Sequence, residues 1–233
     1  MFFKRTFLVL CGLFIINVSV LRAGDSASFV DLGFSADGSI YMFAQYGVSS
    51  VGLQPWADLF IVDVARNNFV PQGRISYTHD KPIDAGQDGS GALYRLITEN
   101  AGLVERYKVL YPNQGQPLYI ALNGDPSYEG KTITFRDFVS GISYRASLEE
   151  KINGSGKGVR SSFHITLEST DNDGEVKTFT IGTPRLERPS VFSYRIKKVL
   201  VAPSGNSLIF VIEMKRHAEN GHDIRYMVEA LRF

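Results

Sequence analysis

The chain has 233 residues, 25 Lys and Arg against 24 Asp and Glu, and a single cysteine. A near-neutral balance without a basic run excludes the electrostatic footprint of a nucleic-acid or anionic-lipid binder, and one cysteine excludes a disulfide framework or a cysteine metal site. Stability must come from a hydrophobic core, for which this length is ample.

Residues 1–23 read as a secretory signal peptide: Lys4 and Arg5 form the positive start, residues 7–21 an apolar run, and Leu21-Arg22-Ala23 a small-residue cleavage site. The run is shorter than the ~20 residues of a spanning helix, so cleavage after Ala23 is expected, with Cys11 removed and no transmembrane span after processing. Losing Lys4, Arg5 and Arg22 leaves 22 basic residues against 24 acidic ones, a formal charge of −2. Residues 24–233 are then one exported β-rich domain, periplasmic or secreted.

In residues 29–35, Val30, Leu32 and Phe34 alternate with Asp31, Gly33 and Ser35, the period of a half-buried strand, which places the three apolar residues on one face. Asp37-Gly38 supplies a tight turn, because glycine takes positive φ freely and aspartate bonds its own backbone. Residues 40–46 return as a strand, and residues 56–64 follow as a third, with Leu59 and Ile61 on one side and Phe60, Val62 and Val64 on the other. Residues 66–89, with Asn67-Asn68, Pro71, Gly73, Pro82 and Gly86, read as a loop-rich connection. Near residues 90–107 a helical period appears in Leu93, Leu96, Ile97, Ala101, Val104 and Tyr107, and predicts one short amphipathic helix capped by Ser90 and packed on a sheet.

Strands are predicted at residues 118–122, 132–138, 142–148, 159–168 and 176–181, with turns at Asn123-Gly124-Asp125-Pro126, Ser140-Gly141, residues 153–158 and residues 171–174. The final unit repeats the first. Val201-Ala202-Pro203-Ser204-Gly205 and the strand after it echo Phe34-Ser35-Ala36-Asp37-Gly38 and its strand, with Phe210 in the place of Phe43, and residues 222–233 in the place of residues 56–64. The fold class is therefore all-β dominated: antiparallel meanders, propeller-like or a sandwich, with one helix. If the two units are equivalent, the first and last sheets lie side by side and the Asp37-Gly38 and Ser204-Gly205 turns share one end of the molecule.

Phe34-Ser35-Ala36-Asp37-Gly38, with Tyr41 and Phe43 beyond it, resembles the F-S-x-D-G element of WD40-like propeller blades of the TolB type. Gly33-Phe34-Ser35-x-Asp37-Gly38, Tyr46-Gly47, Phe60-x-Val62-Asp63-Val64, Val201-Ala202-Pro203 and Tyr226-Met227 together resemble a family of predicted secreted bacterial proteins with a domain of unknown function. That resemblance implies export and a β fold, and brings no catalytic residues with it.

Motifs for chemistry are sparse. There is no G-x-S-x-G elbow; residues 153–158, NGSGKG, lack P-loop spacing and favour a hairpin loop; and residues 171–175, DNDGE, lack the later glutamate of a calcium loop and favour a β-turn. No cofactor is implied. His217 and His222 flank the last hairpin loop, where two imidazoles could approach one metal if Glu213, Glu219 or Asp223 supplied a third ligand. Trp56 with Tyr46 and Asp58 offers an aromatic beside an acid, suited to a sugar or peptide, although core packing explains a lone tryptophan equally well. The reading is an exported, non-catalytic binding or interaction module for a protein or small-molecule ligand of the cell envelope. Its alternatives are a cell-envelope hydrolase, metal-assisted or not, and a structural envelope protein.

Overall fold

The computed structural model describes residues 24–84, 86–122, 131–219 and 221–233, so the expected signal peptide and the turn expected at Asn123-Gly124-Asp125-Pro126 lie outside the described residues. Three antiparallel meanders make three sheets. Strands β1 (Ser28–Ser35), β2 (Ile40–Val48), β3 (Pro55–Asp63) and β4 (Asn68–Thr78) lead into helices α1 (Ser90–Glu99) and α2 (Ala101–Arg106) and the two-residue strand β5 (Val109–Leu110). Next come β6 (Gln116–Ile120), β7 (Thr132–Arg136), β8 (Ser143–Asn153), β9 (Arg160–Thr170), β10 (Val176–Ile181) and β11 (Arg188–Pro189), and last β12 (Val191–Val201), β13 (Ser207–Ala218) and β14 (Gly221–Arg232). The sheet orders are β4-β3-β2-β1-β5, then β10-β9-β8-β7 with β11 on β9, then β14-β13-β12-β6.

The three sheets stack face to face with the last in the middle. Leu208, Phe210 and Ile212 of β13 point to the second sheet and pack with Phe135, Ala146, Leu148, Phe163, Ile165 and Leu167. Ile209 and Val211, one residue out of phase, point to the first sheet and pack with Phe34, Tyr41, Phe43, Phe60 and Val62. An unbroken apolar run is what a strand buried on both faces requires. The other face of the first sheet, through Leu59, Ile61, Met42 and Ala44, takes Ala92, Leu93 and Leu96 of α1. A helix closes one end of the stack and the second sheet presents polar side chains at the other. The described residues thus form an open sandwich of three sheets rather than a closed ring of blades.

The echo between the chain ends is structural. Gly38 (φ 69°) and Gly205 (φ 72°) each close a turn, their N–H groups donating to Ser35 O at 2.9 Å and Ala202 O at 2.8 Å. The two turns touch, since a Cβ on Gly38 would lie 2.8 Å from Ser204 Oγ. The third strands match as well: Val64 N–H donates to Ser39 O (2.9 Å) and Phe233 N–H to Asn206 O (3.0 Å). Phe43 faces the last sheet and Phe210 faces the second, so equivalent side chains point the same way along the stack.

Four sequence expectations are corrected. A bulge between Asp31 and Gly33 (φ 96°) inserts one residue in β1, so Val30 and Leu32 face the helix while Phe34 faces the last sheet. The supposed loop after Arg66 contains β4, an edge strand; Pro71 and Gly73 fall where its register shifts against β3, a place where a missing N–H costs nothing. The single helix is two, broken at Asn100, whose Nδ2 donates to Leu96 O at 2.8 Å. Gly89, not Ser90, holds the N-cap position; the Asp88 carboxylate accepts the Ser90 N–H and hydroxyl.

The outer edge of β14 is sealed by first-sheet side chains and the amino-terminal segment, which removes the pairing hazard of a bare edge. Its N–H groups donate to Asp25 O from Ile224 (2.8 Å), to Gln45 Oε1 from Tyr226 (2.8 Å) and to Asn67 Oδ1 from Ala230 (2.7 Å).

Burial of phenols gives the stack an alkaline limit. Tyr226 is pushed up to about 12, by burial first and by the Glu213 charge next, and burial drives the fully covered Tyr41 well above its ordinary value. A phenol raised on folding contributes stability that is whole below its unfolded value near 10 and is lost as pH rises through the folded value. Alkaline titration is expected to show unfolding beginning once pH passes about 10 and completing as it passes about 12, with a late class of phenolates appearing together with loss of the β circular dichroism. Phenolate absorbance that rises in one early step, ahead of unfolding, would contradict the burial.

Candidate functional site

The register of β2 against β3 sorts the sequence-derived candidates. Trp56 opposes Gly47, Tyr46 opposes Ala57 and Asp58 opposes Gln45. Alternation sends Trp56 and Asp58 toward the last sheet and Tyr46 to the opposite face, where it packs with the helix-side cluster. Two of the three are together and the third is across the sheet. Trp56 is 8% exposed, with the Arg225 guanidinium 4.1 Å above its ring, and its Nε1 is buried without a hydrogen-bond partner. A Cβ on Gly47 would come within 2.9 Å of the indole, so the glycine is what lets the ring lie flat on β2. Asp58 accepts hydrogen bonds from Gln45 Nε2 (3.0 Å) and Ser76 Oγ (2.6 Å).

His217 and His222 face each other across β13 and β14, ring centroids 5.1 Å apart, and Phe192 packs on both at 4.5 and 4.7 Å. Of the acids considered as a third ligand, Glu213 is bound to Arg195 at 2.7 Å and Asp223 to Arg216 at 2.9 Å and Arg225 at 3.4 Å. Among the described residues no three or more His, Cys, Asp or Glu gather as metal ligands. The Asp171 loop is a turn closed on itself, its carboxylate accepting the N–H groups of Asp173 (3.0 Å) and Glu175 (2.8 Å), and residues 153–158 are a hairpin connection holding one 3-10 turn, Gly156–Gly158. His79 lies 3.2 Å from Asp80, and His164 Nε2 lies 3.5 Å from Glu149.

A surface that sequence reasoning passed over lies on the outer face of the second sheet. A groove of about 490 Å³ runs across β7, β8 and β9, lined by Thr134, Arg136, Ser143, Arg145, Glu168 and Thr170. These are the solvent-side positions of the strands: Thr134 opposes Arg145, which opposes Glu168, and Arg136 opposes Ser143, which opposes Thr170. Neither arginine is engaged in an ion pair among the described residues. Beyond Arg136 the chain turns in a hydrogen-bonded tip. The Asp137 carboxylate accepts Val139 N–H (2.8 Å) and Ser140 Oγ (2.7 Å), and Asn172 Nδ2 donates to Ser140 O at 3.1 Å. Burial works to raise the Asp137 carboxyl, but the Ser140 and Val139 hydrogen bonds prevail and hold it below its ordinary value. This scaffold presents Phe138 at 86% and Val139 at 81% exposure, though burying such side chains is worth about 1.5–3 kcal/mol each.

A family profile described as predicted secreted protein (DUF2259) matches residues 42–232. The chain belongs to this family of secreted proteins of unknown function. The match runs from β2 into the last strand, so it takes in the groove, the Phe138 tip, Trp56, Asp58 and both histidines of the last hairpin, while the Gly33–Gly38 element precedes it. No curated protein matches, and no solved structure matches. No helix among the described residues is long and apolar enough to cross a membrane.

Proposed function

We propose that the protein is an exported, non-catalytic binding module that holds a carboxylate-bearing oligosaccharide on the outer face of β7, β8 and β9. The observation that carries the reading is the groove with two arginines that form no ion pair among the described residues and four hydroxyl or carboxylate side chains, beside a hydrogen-bonded tip with an exposed phenylalanine. Guanidinium groups pair with carboxylates in two-point, charge-assisted fashion, hydroxyls answer sugar hydroxyls, and an aromatic face suits the apolar face of a sugar ring. Family membership supports export.

The test uses an oligogalacturonate, its neutral methyl ester and a hexaglutamate peptide as probes, with amide chemical shifts and calorimetry as readouts. The acidic oligosaccharide is expected to perturb β7 to β9, more weakly as salt rises. Arg136→Ala with Arg145→Ala is expected to cost roughly tenfold in affinity per arginine, at about 1.4 kcal/mol for each tenfold step. Stability should stay within about 0.5 kcal/mol, since both side chains are on the surface. Absence of shifts, or shifts confined to another face, overturns the site; equal binding of the peptide overturns the sugar assignment.

A further inference from the structure

The residues just inside the expected cleavage point are built into the fold. Gly24 lies so close to β14 that a Cβ would sit 2.2 Å from His222 O and 2.9 Å from Asp223 N. Asp25 N–H donates to Asp223 Oδ1 at 3.0 Å, and Asp25 O accepts Ile224 N–H at 2.8 Å and Arg225 Nη1 at 3.2 Å. The Asp25 carboxylate takes Arg225 Nη2 at 3.2 Å and the Ser50 N–H. Ser26 forms a parallel bridge with Ile224, and Ala27 N–H donates to Ile224 O at 3.1 Å. Arg225 joins this segment to Trp56 by stacking on its ring. Residues 24–27 thus act as a short added strand on the edge of the last sheet, tied on its other side to the first sheet.

We infer that the Ala23–Gly24 peptide bond is the processing site and that the terminus it releases is a latch holding the last sheet to the first. Hydrolysis by an export peptidase adds water across that bond, leaving a carboxylate on Ala23 and an ammonium on Gly24. The new ammonium arises one residue before Asp25, whose own N–H donates to the Asp223 carboxylate and whose carboxylate meets Arg225, so the cut frees a terminus whose next residue is already fastened to β14. Glycine at position 24 is demanded by the backbone of β14, which leaves no room for a side chain.

The full chain, exported and recovered, is expected to have an intact mass that begins at Gly24. A chain lacking residues 24–27 and the variant Asp25→Asn are each expected to speed exchange of the Ile224 amide by roughly tenfold or more, and to shift emission of Trp56, the sole tryptophan, to the red. Asp25→Asn keeps the shape and removes the charge, so it gives the answer even if the shortened chain does not fold. An exported chain that begins at any other residue overturns the processing site. Unchanged Ile224 exchange and Trp56 emission overturn the latch.

Discussion

Phe210→Ala is expected to lower stability by about 3–5 kcal/mol and the melting temperature by on the order of 10 °C for a chain of this size. The ring is fully buried on an interior strand of the middle sheet, 6.4 Å edge-to-face from Phe135 of the second sheet and among Leu208, Ile212 and Val199. Sheets on both sides hold the strand in place, so the hole cannot collapse and most of the cavity term remains. Phe138→Ala removes the same atoms from a side chain 86% exposed and is expected to stay within about 0.5 kcal/mol. Thermal and denaturant unfolding of the two variants checks the contrast. Equal losses would mean that the last sheet is not the centre of the stack.

Phe210 also shows which parts of this fold are written locally. Strands with one solvent face announce themselves by alternation, and turns that need positive φ announce themselves by Asp37-Gly38 and Ser204-Gly205, so the meanders and the neighbouring positions of the first and last sheets were legible. The unbroken run of residues 208–212 carried the further information that β13 is covered twice, a pattern that a short buried helix can share. Faces became illegible at the Gly33 bulge, because one inserted residue turns Phe34 over without changing the composition around it. β4 was hidden by Pro71 and Gly73, which signal a loop unless the strand is known to be an edge. Arg136 and Arg145 read as ordinary solvent-side residues, since a groove is a property of three adjacent strands and of no single one. Trp56 was visible as an unusual residue, but its partner, Arg225, comes from the opposite end of the chain, and nothing in either local sequence points to the other.

Glu213→Ala is expected to cost about 3–5 kcal/mol, and Arg195→Ala a comparable amount, while Arg195→Met combined with Glu213→Leu returns most of the loss. Along β13, Ile209 and Val211 face the first sheet in an apolar seam, and the next residue on that face is Glu213, 5% exposed. Its carboxylate meets Arg195 at 2.7 Å and raises the nearby Tyr226 phenol, second in effect to burial. Removing one partner takes the 2.7 Å counter-charge from a largely buried group; removing both, with apolar replacements of similar bulk, extends the seam instead. The phenol supplies an independent readout: with Glu213 replaced by alanine, Tyr226 is expected to ionise at lower pH than in the native chain, yet still above its ordinary value because burial persists. Denaturant unfolding of the three variants, with phenolate absorbance on the first, separates the outcomes. Mild single losses would mean that water reaches the pair and that the first and last sheets are joined chiefly by their apolar half. Severe single losses with recovery in the double variant would mean that the ion pair sets how the two sheets meet without adding net stability.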